Sequence, residues 1–141
     1  SWVKLFDHQT KNVFYFVNTH FDHRGVAARE NTAKVLIDRA KQFESGIPVI
    51  IAGDFNAGTE SRPYRLLSAV FVDTFQKLHP EVKKSGTFNG FNGKSNGARI
   101  DLIFSSQENE IVTASINRRD FNGRTPSDHF PVTCVLRIKS D

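Results

Sequence analysis

An α/β fold built on a mixed sheet is what this sequence predicts, and three patterns predict it. The apolar run Val13 to Val17, a helical stripe from about Val26 to Phe43 and a second apolar run at Val49 to Ala52 succeed one another as a β-α-β unit. A polar turn, Asp7-His8-Gln9-Thr10-Lys11-Asn12, links Val3 to Phe6 with the first of those runs, the pattern of an antiparallel hairpin. Three further apolar runs, Ile100 to Phe104, Ile111 to Ile116 and Val132 to Ile138, add strands in the second half.

Taken in order, Val3 to Phe6 opens the hairpin, and His8 and Lys11 are solvated turn residues. Val13-Phe14-Tyr15-Phe16-Val17 has no polar alternation, so it is expected to be covered on both faces. The following helix carries Ala33, Leu36, Ile37, Ala40 and Phe43 on one stripe, with Arg29, Lys34, Asp38 and Lys41 facing water. Glu44-Ser45-Gly46 ends it, and Pro48 starts the next strand. Ser61-Arg62-Pro63-Tyr64 reads as a second helix start, with Leu66 and Leu67 turned inward. Phe71 to Phe75 is either a short strand or a packed loop. Ser85 to Ala98, with four Gly and three Asn, is a linker or a packed loop in which Phe88 and Phe91 anchor the chain.

Chemistry concentrates at strand ends. The run Val49-Ile50-Ile51-Ala52-Gly53-Asp54-Phe55-Asn56 passes from a buried strand into a carboxylate and a carboxamide. Period-two alternation turns Asp54 and Asn56 the same way and Phe55 back into the packing. Taken alone, this is also the pattern of an ordinary Asp-Asn turn. Val17-Asn18-Thr19-His20 ends another apolar run, Arg99-Ile100-Asp101-Leu102-Ile103-Phe104 places an acid at the head of a strand, and Ser127-Asp128-His129-Phe130-Pro131-Val132 leads an acid and an imidazole into the last strand. No Ser-His-Asp or Cys-His set suggests a covalent intermediate. Were such a site to cleave a phosphate ester, water would be the nucleophile, an ionised Asp54 would accept a proton or orient that water, and Asn56 would offer an amide N–H to a phosphoryl oxygen.

In this order and context the four clusters resemble those of the endonuclease/exonuclease/phosphatase (deoxyribonuclease I-like) superfamily, with matching positions from about Val13 to Leu136. The resemblance implies half of a four-layer α/β sandwich, a mixed β-sheet with helices on one face. It implies that residues 1–141 form the C-terminal portion of a single domain. It also implies a metal-dependent phosphoesterase, with His20, Asp54, Asn56, Asp101 and His129 as catalytic candidates and Asp101 as the partner of His129. Asp128, with Asp54 and Asn56, would hold Mg²⁺ or Mn²⁺, hard cations that take oxygen ligands. Asn18, Arg24, Phe88 and Phe91 are candidates for substrate contact, Arg24 beside His23 in a loop that also reads as merely solvated. Members of the superfamily begin with a metal-site Asn and a Leu-Gln-Glu strand that this sequence does not contain. The isolated chain is therefore expected to be inactive alone. Its sheet would lack a cover on one face, so self-association as a dimer is expected.

Composition fits that reading without choosing a substrate. The 141 residues are 38% hydrophobic and 24% charged, as in a soluble globular domain. Thirteen Phe against two Tyr, one Trp and no Met point to a core of aromatic rings. No apolar run approaches the ~20 residues of a membrane helix, and both cytoplasmic and exported locations remain open. A net charge of +4 favours a polyanionic phosphate substrate, nucleic acid first. A lipid head-group phosphodiesterase or sugar-phosphate phosphatase would use the same residues, and a catalytically silent binding or assembly module is the alternative of another class. The single Cys134, within an apolar run, is expected to be a buried thiol.

Overall fold

A computed structural model describes residues 1–139. Strand β1 (Trp2–Phe6) pairs antiparallel with β2 (Val13–His20), and β2 pairs in parallel with β3 (Val49–Asp54). Helix α1 (Val26–Lys41) makes the crossover between the parallel strands. Strand β5 (Asp101–Ser105) lies antiparallel on the other side of β3, and the two-residue β4 (Val72–Asp73) closes a five-stranded sheet in the order β1-β2-β3-β5-β4. The segment expected as strand or packed loop is thus β4 running directly into helix α3 (Thr74–Leu78). Helix α2 (Arg62–Ser68) starts where Ser61 and Pro63 predict, Ser61 Oγ accepting the Tyr64 N–H. A separate hairpin, β6 (Glu110–Ile116) and β7 (Val132–Arg137), contacts α3 and β5.

The sheet has two unlike faces. Tyr15, Val17, Val49, Ile51, Leu102 and Phe104 lie in register on one of them and join Phe21, Ala33, Phe55, Leu67 and Phe71 in the core, with Leu36, Ile37, Ala40 and Phe43 of the first helical segment packed against it. Aromatic rings dominate, as the Phe count predicts: Tyr15 stacks on Phe43 at 3.9 Å, and Phe55 packs between Phe21 and Phe104. Burying one such ring is worth about 1.5–3 kcal/mol, so this face supplies most of the sheet's hydrophobic stabilisation. The other face is sparsely covered. Val3 and Leu5 are exposed opposite a half-buried Phe16 and Phe14, so β2 is not covered on both faces as its sequence suggests. A continuous apolar run therefore marks a strand able to be covered twice, not one that is.

Similar corrections apply at β7. Its residues alternate between half-buried and exposed, and Cys134 is half-buried where a fully buried thiol was expected. Burial still pushes that thiol above its usual pKa, with a Thr74 hydrogen bond opposing. The loop at 85–98 also differs from expectation: Phe88 and Phe91 are 50% and 64% exposed, so neither ring anchors it.

Two local devices hold the strand ends where the chemistry lies. At Gly53, a Cβ would sit 1.9 Å from the Thr19 carbonyl oxygen, so only glycine permits β2 and β3 to approach this closely just before His20 and Asp54. At the head of β5, Arg99 makes a two-pronged ion pair with Asp73 at 2.7 and 3.1 Å, both side chains buried. Tyr64 donates its hydroxyl to the same carboxylate at 2.9 Å, and Asp73 caps α3 by accepting the Phe75 and Gln76 N–H groups. Burial, with Asp73 beside it, pushes the Tyr64 phenol up to about 12. Every lone pair of the buried acid thus has work, the condition under which a buried ion pair is tolerated.

Candidate active site

The sparsely covered face carries the site. Alternation along β2 puts Asn18 and His20 on it, and the register His20↔Asp54↔Asp101 lines three polar side chains across neighbouring strands. Backbone bonds tie those ends together: Phe21 N–H donates to the Asp54 carbonyl and Phe55 N–H to that of Ile100, both at 2.8 Å. A cleft of about 490 Å³ opens there, lined by His20, His23, Asp54, Asn56, Asp101, Asp128 and His129.

His129 Nδ1 lies 2.8 Å from Asp101 Oδ2, and the expected pair is present. Burial by itself opposes the charged ring. The Asp101 hydrogen bond and the negative charges of Asp101, Asp54 and Asp128 outweigh that penalty, and His129 titrates above the usual histidine range. With Nδ1 held by Asp101, Nε2 is the nitrogen left to exchange a proton with a ligand. His20 Nε2 stands 3.4 Å from Asp54 Oδ2, on a largely exposed ring.

Asn56 occupies a left-handed turn position (φ 45°) immediately after β3. Its backbone N–H donates to Asp54 Oδ1 at 2.7 Å, and its side-chain NH₂ donates to Asp54 Oδ2 at 3.1 Å and to the Phe21 carbonyl at 3.0 Å. Both amide donors are therefore committed. Asn56 orients the Asp54 carboxylate, and its Oδ1 is an acceptor suited to a cation, whereas the expected N–H to a phosphoryl oxygen is already in use.

Asp54, Asp101 and His129 each offer a ligand atom within 4.8 Å of the others, a group able to hold a metal ion. Asp54 belongs to this cluster and to the metal set read from sequence. Asp128 lines the cleft but lies outside the cluster. The donors are mainly carboxylate oxygens, which suit Mg²⁺ or Mn²⁺ better than a soft metal.

The substrate candidates divide. Asn18 and Arg24 do not line the cleft; the Arg24 N–H donates to Asp22 Oδ1, part of the turn that starts α1 and brings His23 to the cleft instead. Phe88 stands edge-on to His129 at 5.2 Å and pairs with it through an isolated backbone bridge. Phe91 is exposed farther along the same loop.

Two residues the sequence reading passed over fix the loop side of the cleft. Thr87, fully buried, accepts the Ile100 and Asp101 N–H groups on its hydroxyl, each at 3.0 Å, while its carbonyl accepts the Phe130 N–H at 2.7 Å. It therefore ties the Asp101 backbone to the residue that follows His129. Asn89 donates to the Ser127 carbonyl and accepts from Thr125 and from the Phe91 N–H. The Asn89 and Gly90 N–H groups close on the Asp128 carbonyl. Small polar residues in a Gly/Asn-rich stretch give no sequence signal of this kind, because their partners lie up to 38 residues away.

A mixed α/β sheet with an acid–imidazole pair beside its strand ends defines a class, and comparison supplies the family. The profile of the Endonuclease/Exonuclease/phosphatase family matches residues 2–129, and this chain belongs to that family. Among solved structures, it resembles a mannosyl-6-phosphatase from Bacteroides thetaiotaomicron VPI-5482 at 30% identity and a TM-score of 0.87, over 97% of this chain and 56% of that one. The human nocturnin catalytic domain shares the fold at 20% identity and a TM-score of 0.78, over 96% and 51% of the two chains. The Danio rerio TDP2 structure with a single-stranded DNA product does so at 19% and 0.74, over 92% and 58%. The chain thus spans about half the length of these structures. A search of curated protein sequences finds no match. No helix among the described residues is long and apolar enough to cross a membrane.

Proposed function

We propose that the whole protein containing this chain hydrolyses phosphate esters with an activated water molecule. The observation that carries the reading is the Asp101–His129 pair at 2.8 Å, opening into one cleft with Asp54. The water oxygen bonds to phosphorus as the bond to the leaving oxygen breaks. Asp54 takes a proton from the water, and His129 gives one from Nε2 to the leaving oxygen, producing an alcohol and a phosphate or phosphomonoester. Asp101 holds the ring's tautomer and favours its charged form. His20 is a second donor to the phosphoryl group.

Asp54, Asp128 and Asn56 Oδ1, beside Asp101 and His129, fit a divalent Mg²⁺ or Mn²⁺. Such an ion would supply charge stabilisation at the phosphoryl oxygens. The superfamily's Glu is not in this sequence. We accordingly place the 141 residues as the C-terminal portion of one domain that alone binds metal weakly, hydrolyses little and pairs through Val3, Leu5, Phe14 and Phe16 as a two-fold dimer.

The net charge of +4 supports a nucleic-acid phosphodiester as substrate. Sugar-phosphate monoester hydrolysis is the second reading, favoured by the 30% identity to a mannosyl-6-phosphatase. Hydrolysis of an oligonucleotide and of a hexose 6-phosphate by the whole protein, with and without EDTA, tests both. Asp54→Ala should lower kcat by ~10²-fold or more on whichever substrate turns over. Full activity in that variant, or in EDTA, rejects the mechanism. For the dimer, a monomer in sedimentation at micromolar concentration rejects the pairing.

A further inference from the structure

His129 borders two recesses. One is the cleft it shares with Asp54; the other is a cavity of about 270 Å³ beneath the loop at residues 117–126. Apolar rings floor this second cavity, among them the buried Phe130 and the exposed Phe121, while Asn117, Arg119 and Thr125 supply polar groups. The loop is fixed to the catalytic segment. The Asn117 N–H donates to the Pro131 carbonyl at 2.9 Å, and Thr125 donates to Asn89 at 3.1 Å.

Its charge is one-sided. The ten residues hold Arg118, Arg119 and Arg124 against a single Asp120, and Asp120 already accepts the Gly123 N–H. None of the three arginines has a carboxylate within ion-pair distance among the described residues. Arg118 and Arg119 instead lie over Phe130 and Phe121, at 5.9 and 5.4 Å. Guanidinium groups held on aromatic faces keep donors free for an incoming anion.

Resting on the phosphoesterase reading above, we propose that this cavity is the leaving-group subsite, and that it takes a sugar ring bearing a second anionic group. An acid that protonates the leaving oxygen must have the leaving group on its own side, and the cavity adjoining His129 is where that group fits. Phe121 and the prolines at 126 and 131 meet the C–H face of the ring, Asn117 and Thr125 its hydroxyls, and Arg119 the further anion. A sugar bisphosphate and a nucleic-acid strand continuing to its next phosphate share this chemistry.

The test uses the whole protein that contains this chain, followed by backbone amide NMR. Inorganic phosphate, a hexose 6-phosphate, a hexose 1,6-bisphosphate and a 5′-phosphorylated dinucleotide are titrated in low salt with Mg²⁺. Phosphate shifts only cleft residues, whereas the bisphosphate or the dinucleotide also shifts residues 117–126, and the larger gain identifies the source. Arg119→Ala weakens the doubly anionic ligands about tenfold, the scale of one charged hydrogen bond, and the hexose 6-phosphate and free phosphate by much less. Arg119→Lys recovers part of the loss. An equal loss for every ligand would show a general field and overturn the subsite, as would loop shifts that are absent with all four. Phosphate that fails to shift the cleft residues would instead sink the phosphoesterase reading on which the subsite rests.

Discussion

The two walls of the cleft are built by different physics. His20, Asp54 and Asp101 sit on three neighbouring strands whose register sets their spacing, and packing of the helical face holds those strands. Asp128 and His129 precede β7, a strand of the other sheet, and their segment is held by the Asn89 and Gly90 N–H groups donating to the Asp128 carbonyl, the Asn89 side chain donating to the Ser127 carbonyl and the Phe130 N–H donating to the Thr87 carbonyl. The first wall is fixed by backbone ladders and aromatic burial, the second by a handful of polar contacts between distant segments. A cleft made this way rests on regular packing at one wall and on a few replaceable groups at the other.

Perturbing the strand wall should have the largest effect. Gly53→Ala sets a methyl against the Thr19 carbonyl, which belongs to backbone and cannot swing away. The change should cost more than about 4 kcal/mol, or prevent folding, read by chemical denaturation or by loss of soluble protein. A variant within 1 kcal/mol of the parent would mean that β2 and β3 are less tightly apposed than described. Next comes the joint between walls. Arg99→Ala leaves Asp73 buried without its partner, and about 3–5 kcal/mol should be lost. Asp73→Asn with Arg99 retained should be nearly as harmful. If either is neutral by denaturation, the buried pair is not what positions the head of β5.

A smaller effect is expected on the loop wall. Thr87→Val keeps the shape but leaves the Ile100 and Asp101 N–H groups without their acceptor, costing about 1–3 kcal/mol. Thr87→Ser should restore most of it. The discriminating readout is the low-field ring N–H proton of His129, which should weaken in the Val variant and return in the Ser variant. A Val variant that loses stability but keeps that signal would make Thr87 purely structural.

The same division explains what the sequence could show. The strand wall was legible because burial leaves a simple pattern: apolar runs, a helical stripe between them and polar residues at their ends place His20, Asp54 and Asp101 together once a parallel crossover is assumed. Burial on the second face was not legible, since Phe14 and Phe16 read alike whether or not something covers them. The loop wall was illegible for another reason. Phe88 and Phe91 are the large rings of that stretch, yet both are exposed, and the groups that hold the loop are Thr87 and Asn89. Hydrogen-bond partners set by tertiary proximity carry no periodicity. Asn56 is the intermediate case: its position beside Asp54 follows from sequence, but the commitment of its amide donors depends on the Phe21 carbonyl, 35 residues away.

The smallest effect, and the one that compares the walls most directly, is the pH dependence of stability. His129 belongs to the loop wall, but its pKa is raised by carboxylates of which two, Asp101 and Asp54, belong to the strand wall. The folded pKa lies above the unfolded value near 6.5. Below that unfolded value the ring is charged in both states, and its attraction to the carboxylates stabilises the fold in full. As pH rises from there through the folded pKa, the native state releases its proton and the contribution is lost. Stability measured by urea denaturation at close pH intervals should therefore decline across that window, after allowance for other groups by comparison with His129→Gln. Asp101→Asn removes the leading favourable partner while burial continues to oppose the charge, so the decline should shrink or move to lower pH. An unchanged slope in Asp101→Asn would mean that the ring is not coupled to the strand wall, and the two walls would then be independent.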